Sequence, residues 1–110
     1  MPHLARLRAA GFAVWPFDDA GPATVVEIYP RVHTGPVVKR SPDARRRVAG
    51  ADPRIPPALR ADVVAGEDAF DAALSALDMA EHLAELTALR AAPAGSPAAI
   101  EGALWRPSGA

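Results

Sequence analysis

The sequence contains no cysteine and no long hydrophobic run, and each absence excludes a class of protein. Without cysteine the chain can form no disulfide, thiolate metal site or cysteine nucleophile, so a metal ion would need carboxylate or histidine ligands. No stretch approaches the roughly 18 to 20 apolar residues of a membrane span, and no apolar signal-peptide core follows the N-terminus. We therefore expect a cytoplasmic protein with no membrane partner.

Common catalytic and nucleotide-binding motifs are also missing. The sequence contains neither GxGxxG nor GxxxxGK[ST], and none of its serines lies in a GxSxG context. The three histidines, His3, His33 and His82, lack the spacing of zinc sites, so each is expected at the surface. These absences remove the usual nucleotide cradles and argue against a serine hydrolase or a histidine-ligated zinc enzyme.

What the chain does contain is charge separated along its length. Its 110 residues, 50% hydrophobic and 23% charged, suit one globular domain, and the net charge is only −1. However, residues 31–60 carry a net charge of +6 and residues 61–90 a net charge of −6. Either the two segments pair with each other, or they form a basic surface for phosphates beside an acidic site for a divalent cation.

The N-terminal third predicts one helix and two strands. A helix is expected over residues 2–10, and strands over residues 12–17 and 24–29. The second strand is apolar on both faces except for Glu27, as in a strand buried within a sheet. Burying a lone charge costs on the order of several kcal/mol. Glu27 is therefore expected at a polar sheet end, beside a partner, or bound to metal.

The rest of the chain predicts short pieces followed by one long helix. Prolines interrupt residues 30–60, where short helices are expected after Ser41 and from Pro57. Residues 67 to about 91 contain neither Gly nor Pro and predict a continuous helix. A short strand or an extended segment is expected over residues 100–105.

Acidic side chains share one face of the predicted long helix. Asp68 and Asp71, three residues apart, would place their β-carbons about 5 to 6 Å from each other. That spacing can hold a hard divalent cation, but it also suits a solvated face whose acids are stabilised by the helix dipole. The polar arc comprises Glu67, Asp68, Asp71, Ser75, Asp78, Glu81, His82 and Glu85.

Four stretches, taken in order, resemble one protein family. They are residues 11–18 (GFAVWPFD), 25–30 (VVEIYP), 67–72 (EDAFDA) and 101–107 (EGALWRP). They are similar to the C-terminal half of the predicted RNase H-like nuclease family, a bacterial and archaeal domain family, and the resemblance covers nearly the whole chain. The Asp68-x-x-Asp71 pair also resembles the final-helix pair of Holliday-junction resolvases, which share the RNase H-like fold.

The resemblance implies an α/β chain equivalent to the C-terminal part of a layered RNase H-like fold, with a long final amphipathic helix packed on a small sheet. It implies a metal-dependent nuclease, in which two Mg²⁺ or Mn²⁺ ions activate water and stabilise the leaving oxygen during phosphodiester hydrolysis. The implied catalytic and metal-binding residues are Glu27, Asp68 and Asp71, with Glu67 as a poorer candidate.

Basic residues are expected to position a nucleic-acid substrate. Phosphate contacts fix the position of a nucleic acid without reading its bases. A run of three arginines on a short helix can equally be a solvated face. The residues expected to contact phosphate are Arg31, Arg45, Arg46 and Arg47.

One feature of the family is missing. RNase H-like domains begin with a β-hairpin whose first strand carries an essential aspartate, and no such G-x-D strand occurs here. Residues 1–110 are therefore expected to form a single partial domain, with nuclease activity belonging to the complete domain. Expected partners are the missing N-terminal half or a second copy joined through a sheet edge. The alternative function is a non-catalytic interaction module or a decayed regulatory one.

Overall fold

The computed structural model describes residues 2–109. The chain divides into two units. The terminal unit consists of Met1–Tyr29 and His82–Ala110, and the central unit consists of Pro30–Glu81. In chain order the elements are α1 (Pro2–Ala9), β1 (Ala13–Val14), β2 (Thr24–Val25), β3 (Glu27–Ile28), α2 (Pro30–Thr34), α3 (Pro42–Ala51), a 3₁₀ turn (Pro57–Leu59), α4 (Arg60–Val63), α5 (Glu67–Glu81), α6 (Leu83–Thr87), α7 (Pro97–Glu101) and β4 (Leu104–Trp105).

The predicted fold class is wrong. The strands form two sheets of two parallel strands each, β1 with β2 and β3 with β4, and every strand is two residues long. The helix expected to run to about residue 91 ends at Glu81 and is followed by two short helices, α6 and α7. The chain is thus a small, mainly helical α and β structure and not the C-terminal part of a layered RNase H-like fold.

The first helix agrees with its prediction. α1 ends at Ala9, and the Ala10 N–H donates to the Arg6 carbonyl in a final turn. Gly11 then adopts a φ of +96°, a left-handed conformation that a side chain would make costly. Gly11 therefore ends this helix, as its position in the sequence predicts.

A tight turn stops the first strand early. The Phe17 and Asp18 N–H groups both donate to the Val14 carbonyl, while the Asp18 carboxylate accepts from the Val14 N–H at 3.0 Å. This hydrogen bond, with the Arg8 guanidinium 2.6 Å from Asp18, lowers the pKa of Asp18. The strand predicted over residues 12–17 is accordingly reduced to Ala13–Val14.

The strongest predicted strand contributes to two sheets. Thr24 and Val25 pair with β1, and after Val26 the chain pairs with β4 instead, so that Glu27 lies opposite Leu104. Glu27 is exposed. The prediction that it belongs to a strand buried on both faces is wrong, because β3 is two residues long and, within residues 2–109, pairs with a single strand of the same length, β4.

The central unit contains the contiguous hydrophobic core. Ser41 caps α3 by accepting the Ala44 N–H at 3.2 Å, as the sequence predicts. The predicted helix from Pro57 is present as the 3₁₀ turn and α4, whereas α2 was not predicted. The buried core residues are Ala49, Ile55, Phe70 and Leu74, with Val37, Val48, Val63, Val64 and Leu77 packed against them.

A side-chain contact between distant parts of the sequence accompanies the end of α5. His82 leaves helical geometry with φ −112° and ψ 26°, although no Gly or Pro lies nearby. Its ring meets that of Trp105 edge-on, with centroids 6.1 Å apart, and Trp105 is buried. Local helix preference is worth only tenths of a kcal/mol per residue, roughly, so such packing can override it. Across residues 2–109, no helix has both the length and the apolar content to span a membrane.

Candidate functional site

The three predicted metal ligands are distributed over both units. Glu27 lies on β3 in the terminal unit, while Asp68 and Asp71 lie in the first two turns of α5 in the central unit. Glu27 and Asp68 are exposed and Asp71 is half-buried. Nowhere in residues 2–109 do three or more His, Asp or Glu side chains form a group able to hold a metal ion. A Mg²⁺ or Mn²⁺ site at these residues stays a prediction.

The acidic face of α5 is largely an interface with the rest of the central unit. Lys39 Nζ lies 2.8 Å from Asp71 Oδ1 and 2.9 Å from Oδ2. Asp78 Oδ2 lies 2.5 Å from Nδ1 of His33, whose side chain is fully buried on α2. Ser75, between the two aspartates, is also buried. The surface expectation for His33 is wrong, because α2 packs along this face of α5.

Charge pairing between the two oppositely charged segments is observed. Besides the Lys39–Asp71 pair, Arg54 lies 3.1 Å from Glu81 and 2.7 Å from Asp52. The Arg54 guanidinium lowers the pKa of Asp52, and Asp52 in turn raises the pKa of Arg54. The first interpretation of the charge pattern, pairing within the fold, thus accounts for part of it.

The arginine run on α3 does not act as one surface. Arg45 is only 7% exposed, and its guanidinium donates to the Val64 carbonyl at 3.1 Å and to the Lys39 carbonyl at 2.6 Å. Arg46 and Arg47 are exposed. Arg45 therefore holds α3 to two other segments, which corrects the expectation that it contacts phosphate or solvent. Arg31, on α2, is exposed.

A cleft between α3 and α4 brings together two arginines that are distant in sequence. We call it the arginine cleft; its volume is about 390 Å³. Arg46 comes from α3 and Arg60 from the start of α4, and Gly50 leaves open space beside them. Arg60 was not predicted as a site residue, because the sequence shows only that it belongs to the basic segment 31–60. The lining residues are Arg46, Ala49, Gly50, Arg60, Ala61 and Val64.

The guanidinium of Arg60 has an unused donor. Its Nε is buried and finds no hydrogen-bond acceptor in residues 2–109. A buried polar group without a partner costs about 1–3 kcal/mol, more when it is charged. Arg46, whose side chain is 60% exposed, has one ion-pair partner within residues 2–109, the exposed Asp43 three residues away. Such surface pairs contribute roughly 0 to 1 kcal/mol, so Arg46 can exchange its partner at little cost.

A second cleft lies entirely within the terminal unit. We call it the glutamate-rimmed cleft; its volume is about 380 Å³. Apolar walls come from the ends of β1 and β2 and from the turn after β1, while Glu27 and Glu101 also line it. Gly102, with φ +88°, faces Phe17, since a Cβ added to it would lie 3.7 Å from Phe17 Cζ. Neither glutamate has an ion-pair or hydrogen-bond partner within the described residues.

Comparisons with protein-family models, with curated proteins and with solved structures find no match for this chain. The resemblance to the predicted RNase H-like nuclease family therefore rests on the four sequence stretches alone. The structural features that bear on function are the two clefts and the side chains that line them.

Proposed function

We propose that the chain is a non-catalytic interaction module whose glutamate-rimmed cleft receives a segment of a partner protein. The segment carries a bulky apolar side chain next to a lysine or arginine. The observation that carries this proposal is an apolar cleft whose lining includes two glutamates, Glu27 and Glu101, that have no cationic partner in residues 2–109. The apolar walls take the bulky side chain, and Glu27 and Glu101 face its positive neighbour.

Exposed apolar side chains elsewhere in the terminal unit also support an interaction role. Exposed apolar patches on proteins often mark sites of contact with other molecules. Large apolar side chains of the terminal unit remain 37% to 73% exposed, although aromatic residues usually dominate cores and interfaces. These side chains are Phe12, Phe17, Tyr29, Leu83, Ile100 and Leu104.

The walls of the cleft are held by backbone hydrogen bonds, which favours a preformed site. The Ala92 N–H donates to the Pro16 carbonyl at 2.8 Å, and the Gly102 N–H donates to the Ala98 carbonyl at 3.0 Å. Indole Nε1 of Trp15 donates to the Arg90 carbonyl at 3.0 Å. A site that needs little ordering on binding loses less affinity to conformational entropy.

Charged and neutral peptides of one shape test the proposal. The probes are acetyl-Arg-Phe-Arg-amide and its analogues with glutamine or glutamate in place of arginine, titrated into ¹⁵N-labelled protein at low salt. We expect the arginine peptide to shift amides of residues 14–17, 25–27 and 101–103, and the glutamate peptide to shift none. Equal effects of all three peptides, or shifts spread over the whole chain, would contradict the proposal.

Variants that each remove one carboxylate charge test the proposal further in the same titration. Glu101→Gln should weaken binding of the arginine peptide about 1.4- to fivefold, since an exposed ion pair contributes roughly 0.2–1 kcal/mol. Glu67→Gln removes the same charge from an exposed residue outside the cleft and serves as the matched control. A similar loss in both variants would mean that only net charge matters.

Metal-dependent phosphodiester hydrolysis remains a prediction. The feature that favours it is the pair Asp68 and Asp71, three residues apart on α5, in which Asp68 is exposed. Addition of Mn²⁺ should selectively broaden amide signals near residues 27 and 68–71, and Asp68→Asn should remove the broadening around residue 68. Uniform broadening would argue against a metal site. A cytoplasmic location and association with a missing N-terminal half or a second copy also remain predictions.

A further inference from the structure

We infer that the partner of the glutamate-rimmed cleft is a second copy of this chain, which contributes Val38 and Arg40 from the loop before α3. This inference rests on the proposed function, because it names the partner of that same cleft. The cleft belongs to the terminal unit and the loop to the central unit, so the contact joins two different surfaces. A head-to-tail contact of this kind either closes into a ring or extends from molecule to molecule.

Val38 is an exposed apolar side chain in a unit that otherwise packs its large apolar residues. Among the described residues of the central unit, the exposed large apolar side chains are Val38, at 61% exposure, and Leu59, at 50%. Val37, one residue earlier, packs against the hydrophobic core. The core thus takes one of the two neighbouring valines and leaves the other to solvent, so burial of Val38 requires another molecule.

The loop that carries Val38 is held by contacts within the central unit. The buried Arg45 donates to the Lys39 carbonyl at 2.6 Å, and the Ser41 N–H donates to the Val38 carbonyl at 3.0 Å. The Lys39 ammonium is paired with Asp71. These contacts order the backbone on both sides of Lys39. A loop that is ordered before binding loses less conformational entropy when it binds.

Arg40 carries the positive charge that matches the cleft. It is exposed and has no ion-pair partner within residues 2–109. Glu27 and Glu101, which line the cleft, have no cationic partner there either. Complementary charges across a contact fix its register and exclude partners of the wrong sign. An exposed valine two residues before an unpaired arginine therefore suits a cleft with apolar walls and two glutamates.

A similar pair of side chains elsewhere provides a control. Tyr29 is 53% exposed and Arg31 is exposed, so they also place an apolar side chain two residues before a cation. However, Pro30 begins α2 between them, and Arg31 belongs to that helix. Arg31→Glu and Arg40→Glu thus reverse the same charge at two exposed positions, of which only residue 40 belongs to the inferred contact.

The experiment follows amide signals of the ¹⁵N-labelled full chain by NMR at low salt while its concentration rises from about 0.05 mM to about 1 mM. This range covers the weak affinity expected of a small contact. We expect the signals of residues 36–40 and of the cleft residues 14–17, 25–27 and 101–103 to shift together, because one contact uses both surfaces.

Three variants of exposed residues test which side chains form the contact. Arg40→Glu should weaken self-association at least about tenfold, because it places a third carboxylate beside two others. Val38→Ser should weaken it at least about threefold, since the burial of the valine side chain is lost. Arg31→Glu should leave it within about twofold. Circular dichroism checks that each variant remains helical.

Mixing two variants tests the head-to-tail arrangement directly. Arg40→Glu keeps an intact cleft, and Glu101→Arg keeps an intact loop, but neither should associate with itself. When unlabelled Glu101→Arg is added to ¹⁵N-labelled Arg40→Glu, the cleft signals of the labelled protein should shift again. Absence of this recovery would overturn the inference.

The peptide titration separates this inference from the proposed function. If the arginine peptide binds the cleft but the chain shows no concentration-dependent shifts, the second copy is not the partner, although the proposed function stands. If neither the peptide nor a second copy binds, both fail. Equal weakening by Arg31→Glu and Arg40→Glu would also overturn the inference, because it would show that only net charge matters. Self-association at the stated residues without peptide binding would support it and show that the cleft needs the ordered loop.

Discussion

The two units of this chain are built in different ways. In the central unit, helices α3, α4 and α5 surround a contiguous core that includes the fully buried Phe70, and three acids of α5, Asp71, Asp78 and Glu81, are paired from within. In the terminal unit, Val14 and Trp105 are the buried hydrophobic residues of the described part, and many larger side chains stay exposed. The terminal unit relies on hydrogen-bonded turns and not on a contiguous core.

The largest expected effect is the loss of the central core. Phe70→Ala should destabilise the protein by about 3–5 kcal/mol, since it leaves a cavity among Ala49, Ile55 and Leu74. Urea unfolding followed by circular dichroism measures the loss. The control, Phe12→Ala, removes a 40% exposed ring in the terminal unit and should cost less than about 1 kcal/mol. Similar losses in both variants would remove the distinction between the two units.

The next largest effect concerns the buried arginine. Arg45→Met should cost about 2–3 kcal/mol, because the carbonyls of Lys39 and Val64 lose a charged donor inside the central unit. Arg47→Met changes an exposed arginine on the same helix and should stay within about 0.5 kcal/mol of the wild type. An unfolding free energy for Arg45→Met close to that of Arg47→Met would show that Arg45 is not structural.

Each unit contains a serine that caps a helix, so the same Ser→Ala substitution can be compared in both. Ser41 accepts the Ala44 N–H in the central unit, and Ser96 accepts the Ala99 N–H in the terminal unit. Ser41→Ala should cost about 1 kcal/mol, as is usual for a helix N-cap. Ser96→Ala should cost less, since α7 is only five residues long and contains no buried residue. If urea titrations show a larger loss of stability for Ser96→Ala than for Ser41→Ala, α7 is packed more tightly than the structure shows.

The smallest effect is on acid stability, and it is expected in both units. Hydrogen bonds from the Val14 N–H and from Arg8 lower the pKa of Asp18, and those from Arg54 lower the pKa of Asp52. A carboxyl whose pKa is lower in the folded state adds stability that is complete above its unfolded pKa of about 3.9. That stability is lost as pH falls through the lower folded value.

Matched variants separate the two contributions. Asp18→Asn and Asp52→Asn should each flatten the fall of the unfolding free energy below about pH 4. Thermal unfolding between pH 2 and pH 6 measures these slopes. An unchanged slope in Asp52→Asn would mean that the Arg54 pair does not persist in solution.

Elements with chemical start and stop signals were predictable from the sequence. Ser41 and Pro42 begin α3, and Gly11 ends α1, because caps act through the backbone of their own turn. The candidate site was less predictable. Its two arginines, Arg46 and Arg60, are 14 positions apart, and nothing in the local pattern indicates that α3 and α4 face each other.

A long final helix and a glutamate in a buried strand were predicted from the residue types, and the resemblance to a nuclease family combined them into a layered fold. His82 interrupts the helix beside Trp105, and Glu27 is exposed on a strand of two residues. A motif specifies the order of residue types along the chain. The length of a helix and the burial of a side chain depend on which other residues pack against that helix or side chain.

The sequence by itself determined where α1 ends, where α3 begins and the absence of cysteine chemistry, since these depend on residue type and near neighbours. Only the tertiary structure decided the role of each charge. The acids of α5 looked like a metal-binding or solvated face, yet Asp71 and Asp78 meet Lys39 and His33. Arg45 is buried while Arg46, one residue later, is exposed, because consecutive helical residues point about 100° apart and only packing selects the covered side.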